Sequence, residues 1–297
     1  MKRIGAITKR TVMSFYDDQM TQHAAALTYY ALMSLFPAAL MALSLLGLFG
    51  QYPATYNAII GYLRDVVPRS ALVPLDSSLR GALRSQGTAT TTLVIGAAVA
   101  LYGTTGALEA ARRALNVVLE VDTGRRFLRR KAIDVASTFV LMALVLVSLV
   151  LVFVGGGFAR DLLGFVGIGP QAARTWNVVR WPAALAVAML VFAYMYYVIP
   201  DVKQRSFRAV LPGAALGVLL WLGASYGFSR YISQVANVGA IYGTFAGAIV
   251  LVAWLWLTHV VLLFGAELNA EIEREKELDE GVALCDTLNR PTRRGRW

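Results

Sequence analysis

The sequence predicts an all-α membrane protein, a polytopic bundle of six transmembrane helices. Hydrophobic residues make up 57% of the chain and charged residues only 15%, against about 25% charged in ordinary soluble proteins. Six apolar stretches approach or exceed the ~20 residues that a helix needs to cross the hydrocarbon core. The stretches are continuous rather than alternating, and this favours helices over a β-barrel.

The six apolar stretches define the domain organisation. We place the spans at about 24–49, 90–111, 133–157, 178–199, 211–232 and 244–265. Residues 1–272 form the transmembrane domain, and residues 273–297 form a charged cytoplasmic tail. The second span is the least apolar, because Gly103, Gly106 and Glu109 lower its hydropathy. A weakly apolar span is expected to face protein rather than lipid.

The positions of Lys and Arg predict the orientation of the spans. Twenty of the 28 basic residues lie in the N-terminal segment, after spans two and four, and in the C-terminal tail. Both termini are therefore expected to be cytoplasmic. The net charge of +10 follows mainly from this topology and suits anionic lipid at the inner surface. We expect membrane lipids as partners and no nucleic acid, while the oligomeric state stays open.

Two connections are predicted to carry amphipathic helices. Residues 51–89 form the longest outer connection. Their apolar spacing predicts one helix that ends at Pro68 and another around 75–83. Residues 107–121 continue the second span as a helix that enters the cytoplasm or bends along the interface. The outer connection is the expected surface for an envelope protein partner.

Polar residues inside predicted spans are functional candidates because they are costly in lipid. Tyr30 and Ser34 share a face of the first span, and Pro37 should distort that helix. A hydroxyl-lined face suits a passing polar headgroup, and it equally suits hydrogen bonding between helices. The candidate substrate-path residues are Tyr29, Tyr30, Ser34, Pro37, Glu109, Arg112, Asn116, Arg230, Tyr231, Asn237, Tyr242, His259 and Glu267.

The ionisable candidates also have structural interpretations. Glu109 lies one turn before Arg112 and Arg113, so an ion pair at a helix end competes with a charged gate at the inner mouth of a groove. His259 is the deepest ionisable residue, and a neutral, hydrogen-bonded histidine is favoured over a proton relay. Glu267 closes the sixth span, where a structural clamp is the favoured role.

The segment between spans five and six combines aromatic, amide and basic groups. Arg230, Tyr231, Asn237 and Tyr242 fit an aromatic belt at the membrane interface. They fit equally well a site for an anionic headgroup at the outer leaflet, bound by charge-assisted hydrogen bonds.

Several motifs along the chain resemble one bacterial family. They are Ala24–Pro37, Leu115-Asn116, Tyr197–Asp201, Leu211–Ala214, Phe228–Tyr231, Ile241–Gly243, Trp254–Trp256 and Leu263–Asn269. In this order they are similar to the YihY/BrkB family of bacterial inner-membrane proteins, over about residues 10–272. The resemblance implies a multi-pass protein of the cell inner membrane. Members have carried the label ribonuclease BN or a virulence label, and a related branch has been linked to export of lipids or lipopolysaccharide precursors.

The residues argue against a nuclease. Metal-dependent phosphodiester hydrolysis needs converging carboxylates or histidines. This chain has two His residues, at opposite ends, and no His-x-His or Asp-x-Asp motif. We therefore expect no enzyme activity, no metal and no cofactor, and we find no P-loop motif for ATP.

The predicted function is to move or handle an amphipathic envelope substrate, a phospholipid or a lipid precursor, without an ATPase of its own. One alternative is a membrane scaffold that organises an envelope complex without transport. A second alternative is a small-ion or proton-coupled carrier, which water at His259 would favour.

Overall fold

The chain is described here from a computed structural model that covers residues 2–49, 56–57, 60–61, 76, 80, 86–121, 127–153, 170–202, 206–234 and 246–279. The helices are α1 (Lys2–Asp17), α2 (Met20–Phe49), α3 (Gln86–Val118), α4 (Phe127–Phe153), α5 (Pro170–Val198), a 3-10 helix (Phe207–Val210), α6 (Leu211–Gln234) and α7 (Ala246–Asp279). No strand occurs within these described ranges. The all-α prediction is confirmed for this part of the chain.

Four helical stretches are long and apolar enough to cross a membrane. They are Phe127–Val152, Thr175–Val198, Phe207–Ile232 and Gly247–Lys276, and they match predicted spans three to six. The first two predicted spans coincide with α2 and α3, which are 30 and 33 residues long. That α2 and α3 also cross the membrane stays a prediction, and so does the orientation of the termini.

The chain divides into two compact units, one of residues 29–107 and one of residues 1–28 with 108–297. In the larger unit, residues 1–28 with 108–297, α1 packs on α7, α7 on α6, α6 on α5, and α5 on α4. Its core is formed by α1, α5, α6, α7, the start of α2 and the last turns of α3. The outer face of α4 instead exposes large apolar side chains such as Phe139, Leu146 and Val150, as expected for a helix that faces lipid.

Glycines allow α6 and α7 to approach closely. A Cβ on Gly213 would lie 2.1 Å from the carbonyl oxygen of Gly265, and a Cβ on Gly265 would lie 3.4 Å from the Cα of Gly217. The Tyr196 hydroxyl of α5 donates a 2.6 Å hydrogen bond to the Leu262 carbonyl at the same junction. The small-residue pattern in α6 therefore serves tight helix packing.

Helix α3 ends in a left-handed turn. Glu120 has a φ of 53°, and its N–H donates to the Val117 carbonyl at 3.1 Å. The N–H of Val121 reaches back to the Asn116 carbonyl at 2.9 Å. These two bonds form the Schellman arrangement that satisfies the last carbonyls of a helix. The turn ends α3 one turn after the polar residues that form the site below.

Some predicted segments differ in extent from the observed helices. Helix α3 continues without a break through 107–118, and most of these residues are buried in the core. Helix α7 continues to Asp279, into the segment assigned to the tail. Most of the predicted helices within 51–89 lie outside the described residues, as do tail residues 280–297.

Candidate functional site

A buried arginine connects three helices of the larger unit. The Arg112 side chain, in α3, is 1% exposed. It forms an ion pair with Asp134, a fully buried residue in the first turns of α4. Its Nη1 also donates to Asp134 Oδ2 at 3.3 Å. Its Nε donates to the Ile199 carbonyl at 3.2 Å and lies 3.6 Å from Asp201 Oδ1, just after α5. Arg112 thus satisfies polar groups of two neighbouring helices.

Asn116 holds the end of α5 from the next turn of α3. Its Nδ2 donates to Asp201 Oδ2 at 3.1 Å, and its Oδ1 accepts from the Asp201 N–H at 2.9 Å. The Asn116 amide thus binds both the carboxylate and the backbone N–H of Asp201, so it fixes the direction of the chain directly after Pro200. Arg112, Asn116, Asp134 and Asp201 form what we call the inner clamp.

Glu109 lies one turn before the inner clamp and faces three cations. It accepts from Arg113 at 2.8 Å and from Lys131 of α4 at 3.1 Å, and Arg130 lies 3.8 Å away. The Arg113 pair has the i,i+4 spacing expected for a helix end. Glu109 therefore pairs both within its own helix and with the next one.

Asn269 and Glu267 lie in the part of α7 that packs on the start of α6. The Asn269 side chain accepts from the Gly213 N–H at 2.7 Å and donates to the Val210 carbonyl at 2.9 Å. It thus satisfies the Gly213 N–H, in the first turn of α6 where N–H groups lack intrahelical acceptors, and it also binds the last carbonyl of the 3-10 helix. Glu267 lies two positions before Asn269 in the chain, and its side chain is almost fully buried, at 1% exposure.

A second polar network joins α1 to the extension of α7. Glu271 is buried and accepts from the Ser14 hydroxyl at 3.1 Å and from Arg274 at 2.9 Å. Arg10 forms an ion pair with Glu275 one turn later. Arg274 also reaches Glu120 after α3, at 2.6 Å. The ends of α3, α5 and α7 and the starts of α4 and α6 therefore all carry paired polar groups.

The tyrosine candidates lie in the unit of residues 29–107. Gly106 packs against the Tyr30 ring, and Gly103 packs against Ser34, whose hydroxyl donates back to the Ala31 carbonyl at 2.8 Å. This face of α2 therefore packs on α3. Tyr29 is 58% exposed and stands edge-on to the Tyr30 ring. Pro37 lies within α2, which continues through it as a helix.

A small polar cluster lies in the connection between α2 and α3, within the same unit. The Tyr56 hydroxyl donates to Asp76 and accepts from Arg80 at 2.6 Å. Arg80 also forms an ion pair with Asp76 at 3.0 Å. The hydrogen bond to Asp76 raises the pKa of Tyr56, and burial adds to this effect. The cluster joins positions about 20 residues apart in the connection between α2 and α3.

The candidates after the fifth span are only partly described. Arg230 and Tyr231 lie in the last turns of α6, and both side chains are exposed, Tyr231 by 61%. Asn237 and Tyr242 lie outside the described residues. The headgroup site proposed for this segment therefore stays a prediction.

His259 contacts a hydroxyl group within the larger unit. Its Nδ1 lies 3.0 Å from the Thr28 hydroxyl oxygen, and that hydroxyl donates to the Ala24 carbonyl at 2.7 Å. These contacts hold the His259 ring between α2 and α7. Within the described ranges no group of three His, Cys, Asp or Glu residues could hold a metal ion.

The sequence interpretation missed Asp134, Asp201 and Glu271. Asp134 begins the most apolar predicted span, where an acidic residue is costly unless a cation pairs with it. The predicted topology already placed this end of span three beside the basic segment that contains Arg112. An acidic residue at the start of an apolar span, beside a basic segment, could therefore have predicted the ion pair between Asp134 and Arg112. The contacts of Ser14 and Thr28 had no comparable signal, since each is one hydroxyl among many.

The helices and their apolar outer faces define an integral membrane protein with several candidate spans. A family model described as Virulence factor BrkB matches residues 11–285, and the chain belongs to this family. The resemblance seen in the sequence motifs is thereby confirmed. No solved structure matches the chain.

Relatives from distant bacteria match most of the chain. It is 30% identical to the ribonuclease-like protein YfkH of Bacillus subtilis over 257 residues, which cover 86% of this chain and 91% of that protein. It is also 30% identical to a UPF0761 membrane protein of Pseudoalteromonas translucida over 289 residues, 92% of this chain and 90% of the relative. A UPF0761 membrane protein of Xanthomonas campestris is 24% identical over 270 residues, and 61% of that longer protein is covered.

Proposed function

We propose that this protein moves or handles an amphipathic envelope substrate, a phospholipid or a lipid precursor, in the bacterial inner membrane. It crosses the membrane six times and keeps both termini in the cytoplasm, as the distribution of basic residues predicts. It has no ATPase of its own, so the substrate gradient, an ion gradient or a partner supplies the energy. The ribonuclease-like name belongs to the relative YfkH, and we assign no catalytic step to this chain.

The observation that carries this proposal is the exposure of tyrosines on α2 and α3. Tyr29 is 58% exposed and Tyr102 is 81% exposed. Counted from the ends of the predicted spans, they lie ~7 Å and ~13 Å inside the membrane at 1.5 Å per residue. A hydroxyl that meets hydrocarbon without a hydrogen-bond partner costs ~2–7 kcal/mol. Neither hydroxyl has a hydrogen-bond partner among the residues that the structure describes, and a polar headgroup or water that passes beside it would supply one.

The distribution of charge supports the same function. Arg112, in the inner clamp, is buried and ion-paired. Arg230 and Tyr231, in the last turns of α6, expose their side chains. A basic group beside an aromatic ring at the interface suits the phosphate of a lipid headgroup. In this proposal Arg112 positions helices, and Arg230 contacts the substrate.

The test is lipid translocation by purified protein in liposomes, with variants that separate the path from the scaffold. Tyr102→Leu and Arg230→Ala should slow movement of a headgroup-labelled phospholipid. Tyr16→Leu is the matched control, because Tyr16 is 70% exposed and lies outside the predicted spans. Ser34→Ala removes the hydroxyl without adding volume, which matters because Ser34 packs closely on Gly103. Equal rates in Tyr102→Leu, Tyr16→Leu and wild type would contradict the proposed path.

The packing of α5, α6 and α7 favours a second candidate, a scaffold without transport. Gly213, Gly265 and Tyr196 leave little room between these helices. A scaffold would act through its outer connection, where Tyr56, Asp76 and Arg80 form a polar cluster. Folded protein without lipid movement, together with loss of a cross-linked envelope partner in Arg80→Ala, would support the scaffold.

A further inference from the structure

The surroundings of Glu109 carry more positive than negative charge. Arg113, Lys131 and Arg130 lie 2.8, 3.1 and 3.8 Å from the single Glu109 carboxylate. Three cations against one anion leave a net charge of +2 within this group. Since the Arg113 side chain is 71% exposed, part of this excess charge faces outward. We call Glu109, Arg113 and Arg129–Lys131 the cationic patch.

The cationic patch has hydrogen-bond capacity that its own carboxylate does not use. Arg130 Nε is buried and has no acceptor among the described residues. The adjacent Arg129 side chain is exposed. The first turn of α4 contains no acidic residue, so the positive end of the helix dipole adds to the attraction for an anion.

Exposed apolar side chains lie directly beside these cations. Phe127 is 62% exposed and Leu128 is 81% exposed at the start of α4. The candidate span Phe127–Val152 begins at the same residues, so the cationic patch lies at the level of the lipid headgroups. Aromatic and apolar groups favour this interface, while Lys and Arg extend their charged ends towards phosphate.

We propose that the cationic patch binds the phosphate groups of anionic phospholipids at the bilayer surface. Phe127 and Leu128 enter the acyl-chain boundary, and Arg113, Arg129 and Lys131 face the headgroups. Glu109 acts as an internal competitor that occupies these cations when no lipid phosphate is bound. This is equilibrium binding, so it does not depend on the proposed transport and holds equally for a scaffold.

The experiment is a lipid titration of the purified full chain in detergent, with retained lipid counted by native mass spectrometry. Phosphatidylglycerol is the anionic probe, phosphatidylcholine is the neutral probe, and glycerol phosphate tests the headgroup alone. The variants are Arg113→Gln, Lys131→Gln and Glu109→Gln. Arg208→Gln is the control, because Arg208 is also an exposed cation but lies in the 3-10 helix, which packs on α5, α6 and α7.

Wild type should retain phosphatidylglycerol in preference to phosphatidylcholine. Arg113→Gln and Lys131→Gln should each weaken phosphatidylglycerol binding about five-fold, which corresponds to ~1 kcal/mol per basic residue at an anionic surface. Glu109→Gln should strengthen it, and Arg208→Gln should leave it unchanged. Equal retention of both lipids, an equal loss in Arg208→Gln, or weaker binding in Glu109→Gln would overturn the proposal. Displacement of the lipid by glycerol phosphate at similar concentration would overturn the contribution of Phe127 and Leu128.

Discussion

Arg112 of α3 and Asp134 of α4 form an ion pair whose side chains are 1% and 0% exposed. The same guanidinium also reaches the Ile199 carbonyl and Asp201 at the end of α5. Replacing a whole buried pair by apolar groups is often tolerated, whereas removing one partner leaves a buried charge without its counter-ion. The pair therefore sets how three helix ends meet.

Removing one member of this pair should destabilise the protein strongly. Arg112→Met leaves Asp134 and Asp201 buried without their cation, so we expect a loss of about 3–5 kcal/mol. The double variant Arg112→Met with Asp134→Leu should recover part of this loss. Thermal unfolding in detergent measures both effects. Arg113→Gln is the control and should change stability by less than ~0.5 kcal/mol, because its pair is exposed. A larger effect in Arg113→Gln than in Arg112→Met would contradict the inner clamp.

Gly213→Ala should prevent normal packing of α6 on α7. The added Cβ would lie 2.1 Å from the Gly265 carbonyl oxygen, so the helices must separate and bonds of Asn269 would break. We expect a loss of folded protein in size-exclusion chromatography. Gly223→Ala in the same helix meets nothing within 4 Å and should gain about 0.5–1 kcal/mol from better helix propensity. Similar behaviour of the two variants would show that this junction is not tight.

Asn269→Leu should weaken the start of α6. The substitution removes the bonds to the Gly213 N–H and the Val210 carbonyl, both in a buried environment. Each orphaned backbone group costs about 1–3 kcal/mol. Hydrogen exchange of the first turn of α6 should speed up relative to the middle of that helix. Unchanged exchange at Gly213 would contradict the capping role of Asn269.

Thr28→Val should lower the stability of the folded protein only slightly. The Thr28 bond to His259 is one hydrogen bond between helices, and such bonds average ~0.6 kcal/mol in membranes.

His259 should not carry protons across the membrane. Wild-type proteoliposomes should hold a pH gradient as long as empty liposomes do, and His259→Gln should translocate lipid normally. A gradient that collapses in wild type and persists in His259→Gln would support the ion-carrier alternative.

The single cysteine offers a direct test of orientation. Cys285 lies in the predicted cytoplasmic tail, so a membrane-impermeant maleimide should label it only after spheroplasts are permeabilised. Asn57→Cys in a Cys285→Ser background should react in intact spheroplasts, because position 57 is exposed in the predicted outer connection. Labelling of Cys285 in intact spheroplasts would reverse the topology.

The apolar pattern was enough to predict helices α2 to α7, because length and continuity of hydrophobic runs decide which segments can satisfy their backbone in lipid. Predicted spans three to six match the candidate spans found in the structure. The end of α7 was less predictable, since its charged turns continue to Asp279 through contacts with α1. Helix length beyond the membrane depends on tertiary partners, which a hydropathy pattern does not contain.

The site was harder to predict than the fold. The sequence singled out Arg112, Asn116 and Glu109 by their polarity in or near spans, but their partners depend on helix rotation. Asp134 was overlooked although its cost in an apolar span is a signal in itself. The functional role of the candidate path residues stays a prediction, and for Asn237 and Tyr242 so does their structure.

Translocation by the wild-type protein tests the central claim most directly. Purified protein would be reconstituted into liposomes that contain a headgroup-labelled phospholipid, and a membrane-impermeant reductant would be added outside. The proposal predicts that label initially in the inner leaflet becomes accessible faster than in empty liposomes. If only the outer-leaflet label is lost while the protein is folded and inserted, autonomous lipid transport is contradicted, and the scaffold becomes the better account.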